Sequence, residues 1–271
     1  MKKPIGIFDS GIGGLTVYKA VRSAFPEEDL IYFGDTARVP YGPKSPNTII
    51  EYSLQNARFL LQHQIKILIV ACNTSSAVAL SELHKITHIP ILDVIQPGAE
   101  QAILKTKNGR VGVIGTEGTI KSQAYTKAIK YLNPEIEVFS QACPLFVPLA
   151  EEGWNAKQAA YEIAQEYLQI LLTKDIDTLV LGCTHYPLLK SVIRQVTGDY
   201  ITLVDSADAI ASFLRRMLPE EIDGTKGKDE FYVSDNEQKF AELAARILGS
   251  DTFNLQRVRL IESWFVDEII I

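Results

Sequence analysis

Short apolar runs alternate along the chain with longer stretches in which apolar residues recur at helical spacing. An apolar run of about four to eight residues is typical of a buried strand, and a repeat of three to four residues is typical of an amphipathic helix. Strands are predicted at 4–9, 30–34, 66–71, 90–94, 110–115, 136–140, 177–182, 201–204 and 229–233. The clearest helices are predicted at 13–25, 46–63, 74–86, 119–131, 155–172, 184–196, 206–218 and 236–248. This alternation predicts an α/β fold with mainly parallel sheets and helices on both faces.

The chain also contains a weak internal repeat. Segment 5–11 resembles segment 111–117, and segment 67–74 resembles segment 178–185 at a similar offset. Two related halves of this kind predict two pseudo-symmetric, doubly wound domains. Because α/β proteins bind ligands at the carboxyl ends of parallel strands, we expect the functional site in the cleft between the domains.

The domain boundaries are predicted at two short segments. The first is a turn at Gln96-Pro97-Gly98, and the second is the junction Asp205-Ser206. After the second junction the chain is expected to return to the first domain. The predicted domains are 1–95 plus 206–271 and 96–205. Segment 223–229, rich in glycine and charged residues, is predicted to be a surface loop.

Composition limits the kinds of partner. The 271 residues carry a net charge of −6, with Lys and Arg spread along the chain rather than in a basic block. A nucleic-acid surface held through phosphate contacts is therefore not expected. No stretch approaches the roughly 20 apolar residues of a membrane span, and Asp9 comes before a signal-peptide core can form. We expect a cytoplasmic protein that acts on a small molecule, without a membrane partner.

Two of the three cysteines lie in the matched segments. Cys72 follows the apolar run 67–71, Cys183 follows the run 178–182, and polar residues come after each. A helix that starts at such a cysteine stabilises a thiolate through its dipole. Two matched thiols suit proton transfer on opposite faces of one carbon, which inverts a stereocentre. Cys143 lacks these neighbours and is predicted to be structural.

Neither a metal site nor a dinucleotide-binding motif is expected. The cysteine spacing fits neither a disulfide framework nor a CxxC metal motif, and the pair His84 and His88 has no apparent third ligand. Gly11-Ile12-Gly13-Gly14 follows a strand and opens a helix, but Thr16 stands where a dinucleotide fingerprint needs glycine. These glycines are expected to let backbone N–H groups approach a small anion such as a carboxylate.

Further polar residues follow the predicted strands. Asp9-Ser10 closes the first strand and suits either a ligand contact or a helix N-cap. Segment 34–44 follows the second strand and is dense in Gly, Pro and polar residues, which is typical of a binding loop. His185 lies two residues after Cys183, where it can assist proton transfer at the thiol or bind a substrate group.

Five segments carry a resemblance to a known family: 8–17, 34–42, 71–74, 113–116 and 181–188. In them the chain resembles the bacterial glutamate racemases of the aspartate/glutamate racemase superfamily. The resemblance implies a cofactor-independent isomerase that interconverts L- and D-glutamate and supplies D-glutamate for peptidoglycan, and hence for cell wall biogenesis and cell shape. Members of this family are often homodimers, although no surface stripe in the sequence identifies an interface.

The resemblance also implies roles for individual residues. Cys72 and Cys183 are the implied proton donors and acceptors, and the implied assisting residues are Asp9, Glu151 and His185. Glu151 and Glu152 stand together where the family has one glutamate, and Glu151 is chosen for its spacing to Val147-Pro148. The implied substrate-binding residues are Asp9, Ser10, Tyr41, Gly42, Asn73, Thr74, Thr184 and His185.

Three alternatives remain open at this point. A two-cysteine mechanism does not fix side-chain length, so the substrate of such a racemase can be another amino acid, such as aspartate. A two-lobed small-anion binding protein with inert thiols would show the same strand and helix pattern. The third is a redox or interaction protein, in which either the two cysteines form a disulfide or the enzyme fold has acquired a second role.

Overall fold

The computed structural model describes residues 2–218, 224–250 and 253–260, which form an α/β fold with two parallel sheets. The strands are β1 Ile5–Asp9, β2 Leu30–Gly34, β3 Ile67–Val70, β4 Ile91–Asp93, β5 Arg110–Gly115, β6 Glu137–Ala142, β7 Thr178–Gly182, β8 Thr202–Asp205, β9 Asp229–Val233 and β10 Leu255–Arg257. The helices are α1 Leu15–Ala24, α2 Pro46–Gln62, α3 Asn73–Val78, α4 Leu80–Ile86, α5 Ile95–Lys105, α6 Glu117–Ser122, α7 Ala124–Leu132, α8 Phe146–Glu151, α9 Gln158–Leu172, α10 Lys190–Thr197, α11 Ser206–Leu214 and α12 Glu237–Leu248. The predicted fold class is confirmed.

The two sheets share a strand order around their central strands. The six-stranded sheet runs β10-β9-β2-β1-β3-β4, and the four-stranded sheet runs β6-β5-β7-β8. In the first, β1 pairs with β2 and β3; in the second, β5 pairs with β6 and β7. The repeated segments of the sequence therefore occupy equivalent strands, with one cysteine after β3 and the other after β7.

Helices cover both faces of each sheet. We call the six-stranded sheet with its helices the first lobe, and the four-stranded sheet with its helices the second lobe. Apolar side chains of α1, α11 and α12 cover one face of the first sheet, and those of α2 and α4 cover the other. In the second lobe, α8, α9 and α10 cover one face and α5 and α7 the other. Burial of these apolar faces is the main force that holds each lobe together.

The prediction of a turn at Gln96-Pro97-Gly98 is wrong. These residues form the first turn of α5, which packs against the second sheet through Ala99 and Ala102. Proline is tolerated there because the first-turn N–H groups have no partner within the helix. The Asp93 carboxylate accepts hydrogen bonds from two of these N–H groups, those of Ile95 and Gln96, at 2.7 and 3.0 Å. The domain ranges 1–95 plus 206–271 and 96–205 stay a prediction.

Three predicted helices are interrupted in the structure. The helix predicted at 74–86 divides into α3 and α4 at Ala79. The helix predicted at 119–131 divides into α6 and α7 at Gln123, whose φ of 57° is left-handed. Instead of one helix over 184–196, a short 3₁₀ helix spans Tyr186–Leu189 and α10 follows it. Hydrophobic periodicity continues through such single-residue breaks, so the sequence pattern does not reveal them.

Three short features at the edges of the pattern complete the comparison. The helix α8 and the strand β10 were not predicted from the sequence, since each is too short to show a period. Residues 224–228 of the predicted loop lack helix and strand, and Asp223 lies outside the described residues. Among the described residues, no helix is both long and apolar enough to span a membrane.

Candidate active site

Cys72 lies directly beyond the carboxyl end of β3, between the strand and α3. It is 4% exposed and packs with Tyr41 and Ile49. Burial and the charge of Asp9 raise the pKa of the Cys72 thiol to about 11, although hydrogen bonds from Ser75 and Ser10 oppose this shift. Cys72 is the N-cap of α3, as predicted, but desolvation of the thiol outweighs the dipole of this six-residue helix.

Cys183 occupies the equivalent place after β7 in the second lobe, and it is 5% exposed. No α-helix begins here, contrary to the prediction, because a turn and the 3₁₀ helix come before α10. Its polar partner is a side chain instead: the Cys183 Sγ lies 3.9 Å from Nδ1 of His185. The two matched sequence segments thus give their thiols different surroundings.

His185 connects Cys183 to a carboxylate. Its Nε2 lies 3.2 Å from Oε1 of Glu151, the last residue of α8. Burial opposes the protonated ring, but the hydrogen bonds to Cys183 and Glu151 prevail and raise the pKa of His185 to about 10. The hydrogen bond from His185 in turn lowers the pKa of Glu151, against its own desolvation. A protonated imidazole between the Cys183 sulfur and the Glu151 carboxylate is therefore the expected state at neutral pH.

Asp9 is the last residue of β1, and from the first lobe it faces the turn that contains Cys183. Its side chain is fully buried, its Oδ2 accepts the Gly11 N–H at 3.0 Å, and its Oδ1 accepts from the Thr184 hydroxyl at 3.3 Å. Burial raises the pKa of Asp9, while the nearby charge of His185 lowers it. The N-cap interpretation is wrong, because the N-cap of α1 is Gly14.

The residue that follows each cysteine contacts the opposite lobe. After Cys72, the Asn73 Oδ1 accepts a hydrogen bond from the Tyr125 hydroxyl at 2.7 Å. After Cys183, the Thr184 hydroxyl reaches Asp9, and the Thr184 carbonyl accepts from Thr16 at 3.1 Å. Because these contacts cross in both directions, the carboxyl ends of the two sheets face one another across a common cleft.

A group of three threonines joins the lobes on one side of this cleft. The hydroxyl of Thr74 lies 3.0 Å from that of Thr116 and 3.4 Å from that of Thr119. Sequence reasoning singled out Thr74 but missed Thr116, Thr119 and Tyr125. The internal repeat carried a signal for Thr116, because it follows β5 just as Ser10 follows β1.

Tyr41 and Gly42 belong to the loop predicted to bind a ligand. The Tyr41 ring is 1% exposed, and its hydroxyl donates to Asp35 and accepts from Asn56, so the side chain is turned into the first lobe. Gly42 instead reaches the second lobe, where its carbonyl accepts the Gly118 N–H at 3.0 Å. The loop therefore offers backbone groups at the cleft.

Close approach explains one glycine of the Gly11–Gly14 turn. A Cβ on Gly13 would lie 2.4 Å from both His185 Nδ1 and Thr184 Oγ1. This turn therefore packs directly against the Cys183 turn, and only glycine fits at the contact. The Gly11 N–H is already used by Asp9.

The mouth of the cleft contains a cavity of about 360 Å³. Its lining comes from both lobes, and the lining residues are Val39, Pro40, Gly42, Pro43, Thr116, Glu117, Pro144, Val147, Pro148 and Glu151. A larger cavity of about 630 Å³ lies between α1 and α11 and is lined by neither cysteine. In the part of the chain that the structure describes, no group of three or more His, Cys, Asp or Glu could hold a metal ion.

Comparison with known proteins identifies the family of this cleft. A family model described as Asp/Glu/Hydantoin racemase matches residues 5–214, the region that carries both cysteines and all their partners described above. The chain belongs to this racemase family. A relative from Geobacter metallireducens, named glutamate racemase, is 53% identical and aligns over 95% of this chain and 97% of its own length.

Solved structures of racemases of this family share the whole fold. The glutamate racemase isoform RacE1 of Bacillus anthracis superposes with a TM-score of 0.92 at 38% identity, covering 95% of this chain and 98% of the other. The glutamate racemase of Francisella tularensis, solved in complex with D-glutamate, superposes with a TM-score of 0.89 at 41% identity, covering 96% and 98%.

Family membership excludes one of the open alternatives, and the state of the cysteines excludes the disulfide form of a second. The chain is an amino-acid racemase, and its relatives support glutamate racemase activity. The alternative of a binding protein with inert thiols is therefore wrong. The disulfide alternative fails as well, because Cys72, Cys143 and Cys183 are free thiols.

Proposed function

We propose that this racemase interconverts L- and D-glutamate without a cofactor, with Cys72 and Cys183 as the two proton carriers. The observation that carries the proposal is the crossed pair of contacts, Asn73 with Tyr125 and Thr184 with Asp9, because it turns both cysteine segments toward one cleft. The activity named for the relatives from Geobacter metallireducens and Chlorobaculum tepidum supports the choice of substrate.

In the proposed reaction one sulfur removes the α-proton and the other returns a proton on the opposite face. The unlike surroundings of the thiols suggest where the resting proton lies. Burial beside Asp9 favours the neutral Cys72 thiol, whereas Cys183 faces a protonated imidazole that can donate to a thiolate. We therefore propose that Cys72 holds the resting proton and that Cys183, beside His185, removes the first proton from the substrate. The two roles exchange after each turnover.

The carbanion formed in this reaction needs donors for its developing negative charge. Asn73 supports this role, because its Nδ2 is buried and has no hydrogen-bond partner among the described residues. The proposed substrate-binding groups on the first lobe are Asp9, Ser10, the backbone of Tyr41 and Gly42, Asn73 and Thr74, and those on the second are Thr184 and His185. Fixed donors in a cleft that excludes water stabilise such charge more than bulk water does.

The wider role of the enzyme follows from its proposed product. We propose that D-glutamate from this reaction supplies peptidoglycan synthesis in the cytoplasm, and that the protein works as a homodimer. Gel filtration with light scattering tests the homodimer, with a mass near twice 30.1 kDa expected and a monomer mass as the contrary result.

The test of the mechanism uses cysteine variants matched to a control. Circular dichroism of L-glutamate and of D-glutamate measures racemisation by the wild type, by Cys72→Ser and by Cys183→Ser. We expect the racemisation rate of each variant to fall more than about a thousandfold below that of the wild type, because neither thiol can carry out the other's proton transfer. Cys143→Ser, a third buried cysteine, controls for loss of a thiol and should remain active. Full activity in either single variant would contradict the proposal.

Aspartate remains the second candidate substrate. Parallel assays with the L and D forms of glutamate and aspartate, under the same conditions, separate the two. We expect a higher kcat/KM for glutamate by at least about tenfold, which is the discrimination that one methylene supports. Equal or higher kcat/KM for aspartate would instead favour an aspartate racemase.

A further inference from the structure

A helix of the first lobe reaches the Cys183 side of the cleft. The helix α12 carries Lys239 and Arg246, which lie two turns apart and therefore on the same face. Lys239 Nζ lies 3.5 Å from Oε2 of Glu151, and Arg246 Nη2 donates to the Glu151 carbonyl at 3.1 Å. Both cations thus contact the one residue whose other carboxylate oxygen pairs with His185. We call Lys239 and Arg246 the α12 cation pair.

The packing of α12 fixes this face toward the second lobe. Phe240, Leu243 and Ile247 anchor the helix in the core of the first lobe. The Arg246 guanidinium fits closely against the chain after α8, because a Cβ on Gly153 would lie 2.6 Å from Arg246 Nη1. The contact is therefore shaped by both lobes rather than made by a free surface side chain.

The second lobe alone holds Glu151 weakly. Glu151 is the last residue of α8, a helix of six residues, and Glu152 already forms its C-cap. The Glu151 side chain is 18% exposed, so water competes for its carboxylate. A residue at the frayed end of a short helix needs partners outside that helix to keep one rotamer.

We propose that Lys239 and Arg246 are positioning residues for the Cys183 half of the proton transfer, since from the opposite lobe they hold Glu151 against His185. This inference rests on the proposed function, because it assigns a role to groups around one of the two proposed bases. Neither cation contacts the reacting atoms; both act through Glu151.

The charges around Glu151 give the pH dependence of this effect. The groups that face it among the described residues are His185 from the turn after β7 and the α12 cation pair from the first lobe. The hydrogen bond from His185 is the main reason that the pKa of Glu151 is lowered, and the charge of Lys239 adds to it. Removal of Lys239 therefore raises this pKa, so that Glu151 protonates at a higher pH than in the wild type.

The test compares Lys239→Gln and Arg246→Gln with two controls. Lys85→Gln removes an exposed helical ion pair elsewhere, and Gln238→Ala changes the same helix on its outer side. For Lys239→Gln we expect kcat to fall about fivefold with KM changed by less than about twofold, as for loss of a half-exposed ion pair that does not touch substrate. The acid limb of kcat should move to higher pH, and Lys239→Arg should restore both properties. Arg246→Gln should lower kcat in the same way, and the controls should match the wild type.

A double-mutant cycle separates positioning from general stabilisation. In the Glu151→Gln background, Lys239→Gln should have no further effect on kcat, because its route of action is already lost. Thermal unfolding of each variant identifies any that fails to fold, and Lys239→Arg then provides the folded comparison. Unchanged kcat and acid limb in Lys239→Gln, or equal effects with and without Glu151, would overturn the inference. Failure of the cysteine variants to lose activity would instead overturn the proposed function.

Discussion

At the scale of single residues, the two cysteines are alike in sequence and unlike in surroundings. Cys72 lies among hydroxyl groups beside a buried carboxyl group, and Cys183 lies beside the imidazole of His185. The sequence predicted both positions, since an apolar run followed by polar residues marks the carboxyl end of a strand. The apolar pattern placed His185 beside Cys183, but it could not place Asp9 near Cys72 or Glu151 against His185, because these are tertiary contacts.

The Cys72 thiol provides a pH-dependent prediction. In Cys143→Ser/Cys183→Ser it is the only cysteine, so the rate of alkylation by iodoacetamide reports its thiolate fraction. Burial raises the pKa of Cys72 to about 11, so the neutral thiol is favoured in the folded state. We expect the rate to rise with pH throughout the neutral range and to be half-maximal near pH 11. In urea the half-maximum should fall to about 8.5, the value of an exposed thiol. A half-maximal rate near pH 8.5 in the folded protein would contradict the effect assigned to burial of the Cys72 thiol.

Gly13 provides a steric prediction. In Gly13→Ala the new Cβ would lie 2.4 Å from His185 Nδ1, so the imidazole must move away from Cys183. We expect racemisation to fall by more than about a hundredfold, and the free energy of unfolding to fall by about 1–3 kcal/mol. Gly249→Ala is the control: it has a positive φ and nothing within 4 Å, so it should lower stability and leave activity intact. Equal activity of the two variants would refute the close contact.

At the scale of elements, the pattern of the sequence predicted the central strands well and the helix ends poorly. The strands β2 and β5 match their predicted bounds, because buried parallel strands are near-continuous apolar runs. The helix α5 was missed because Pro97-Gly98 suggested a turn, although proline in a first turn leaves a helix intact. The absence of an α-helix directly after Cys183 was missed, although Pro187 disfavours α-helical backbone at the residue before it.

The loop between β2 and α2 is held by a polar network that supports a further prediction. The Tyr41 hydroxyl donates to Asp35 and accepts from Asn56 at 3.0 Å, and Arg38 pairs with Asp35 at 2.7 Å. Tyr41→Phe leaves both partners buried and short of a hydrogen bond, so we expect a loss of about 1–3 kcal/mol in the free energy of unfolding. KM should rise more than kcat falls, because Gly42 borders the cleft. Tyr131→Phe, at a side chain that is 86% exposed, should change neither. An unchanged free energy of unfolding in Tyr41→Phe, measured with urea, would count against the network.

At the scale of the whole molecule, the site is enclosed by two lobes whose central strands follow the same order. The thiols are 4% and 5% exposed, and contacts such as the Gly118 N–H with the Gly42 carbonyl join the lobes beside them. We therefore expect an amino-acid substrate to reach sulfur atoms enclosed to this degree only when the lobes separate. The internal repeat predicted the two halves, but the contacts between them involve residues such as Tyr125 that no local pattern marked.

Separation and closure of the lobes can be measured by solution scattering. We expect the radius of gyration of the free protein to exceed that of the protein saturated with D-glutamate, because the ligand binds groups of both lobes. An apolar D-amino acid at the same concentration should leave the curve unchanged. Identical curves with and without D-glutamate would show that access to the thiols does not require this motion.

The central claim, that two bases act on opposite faces of one carbon, is tested most directly by isotope position during the first turnovers in heavy water. L-glutamate is incubated with the wild type, the enantiomers are separated, and mass spectrometry measures α-deuterium in each. The account predicts that newly formed D-glutamate carries deuterium in nearly every molecule while the remaining L-glutamate carries none, because the proton removed by one sulfur is not the one returned by the other. Protium retained in the D-glutamate, or deuterium appearing first in the unreacted L-glutamate, would contradict it.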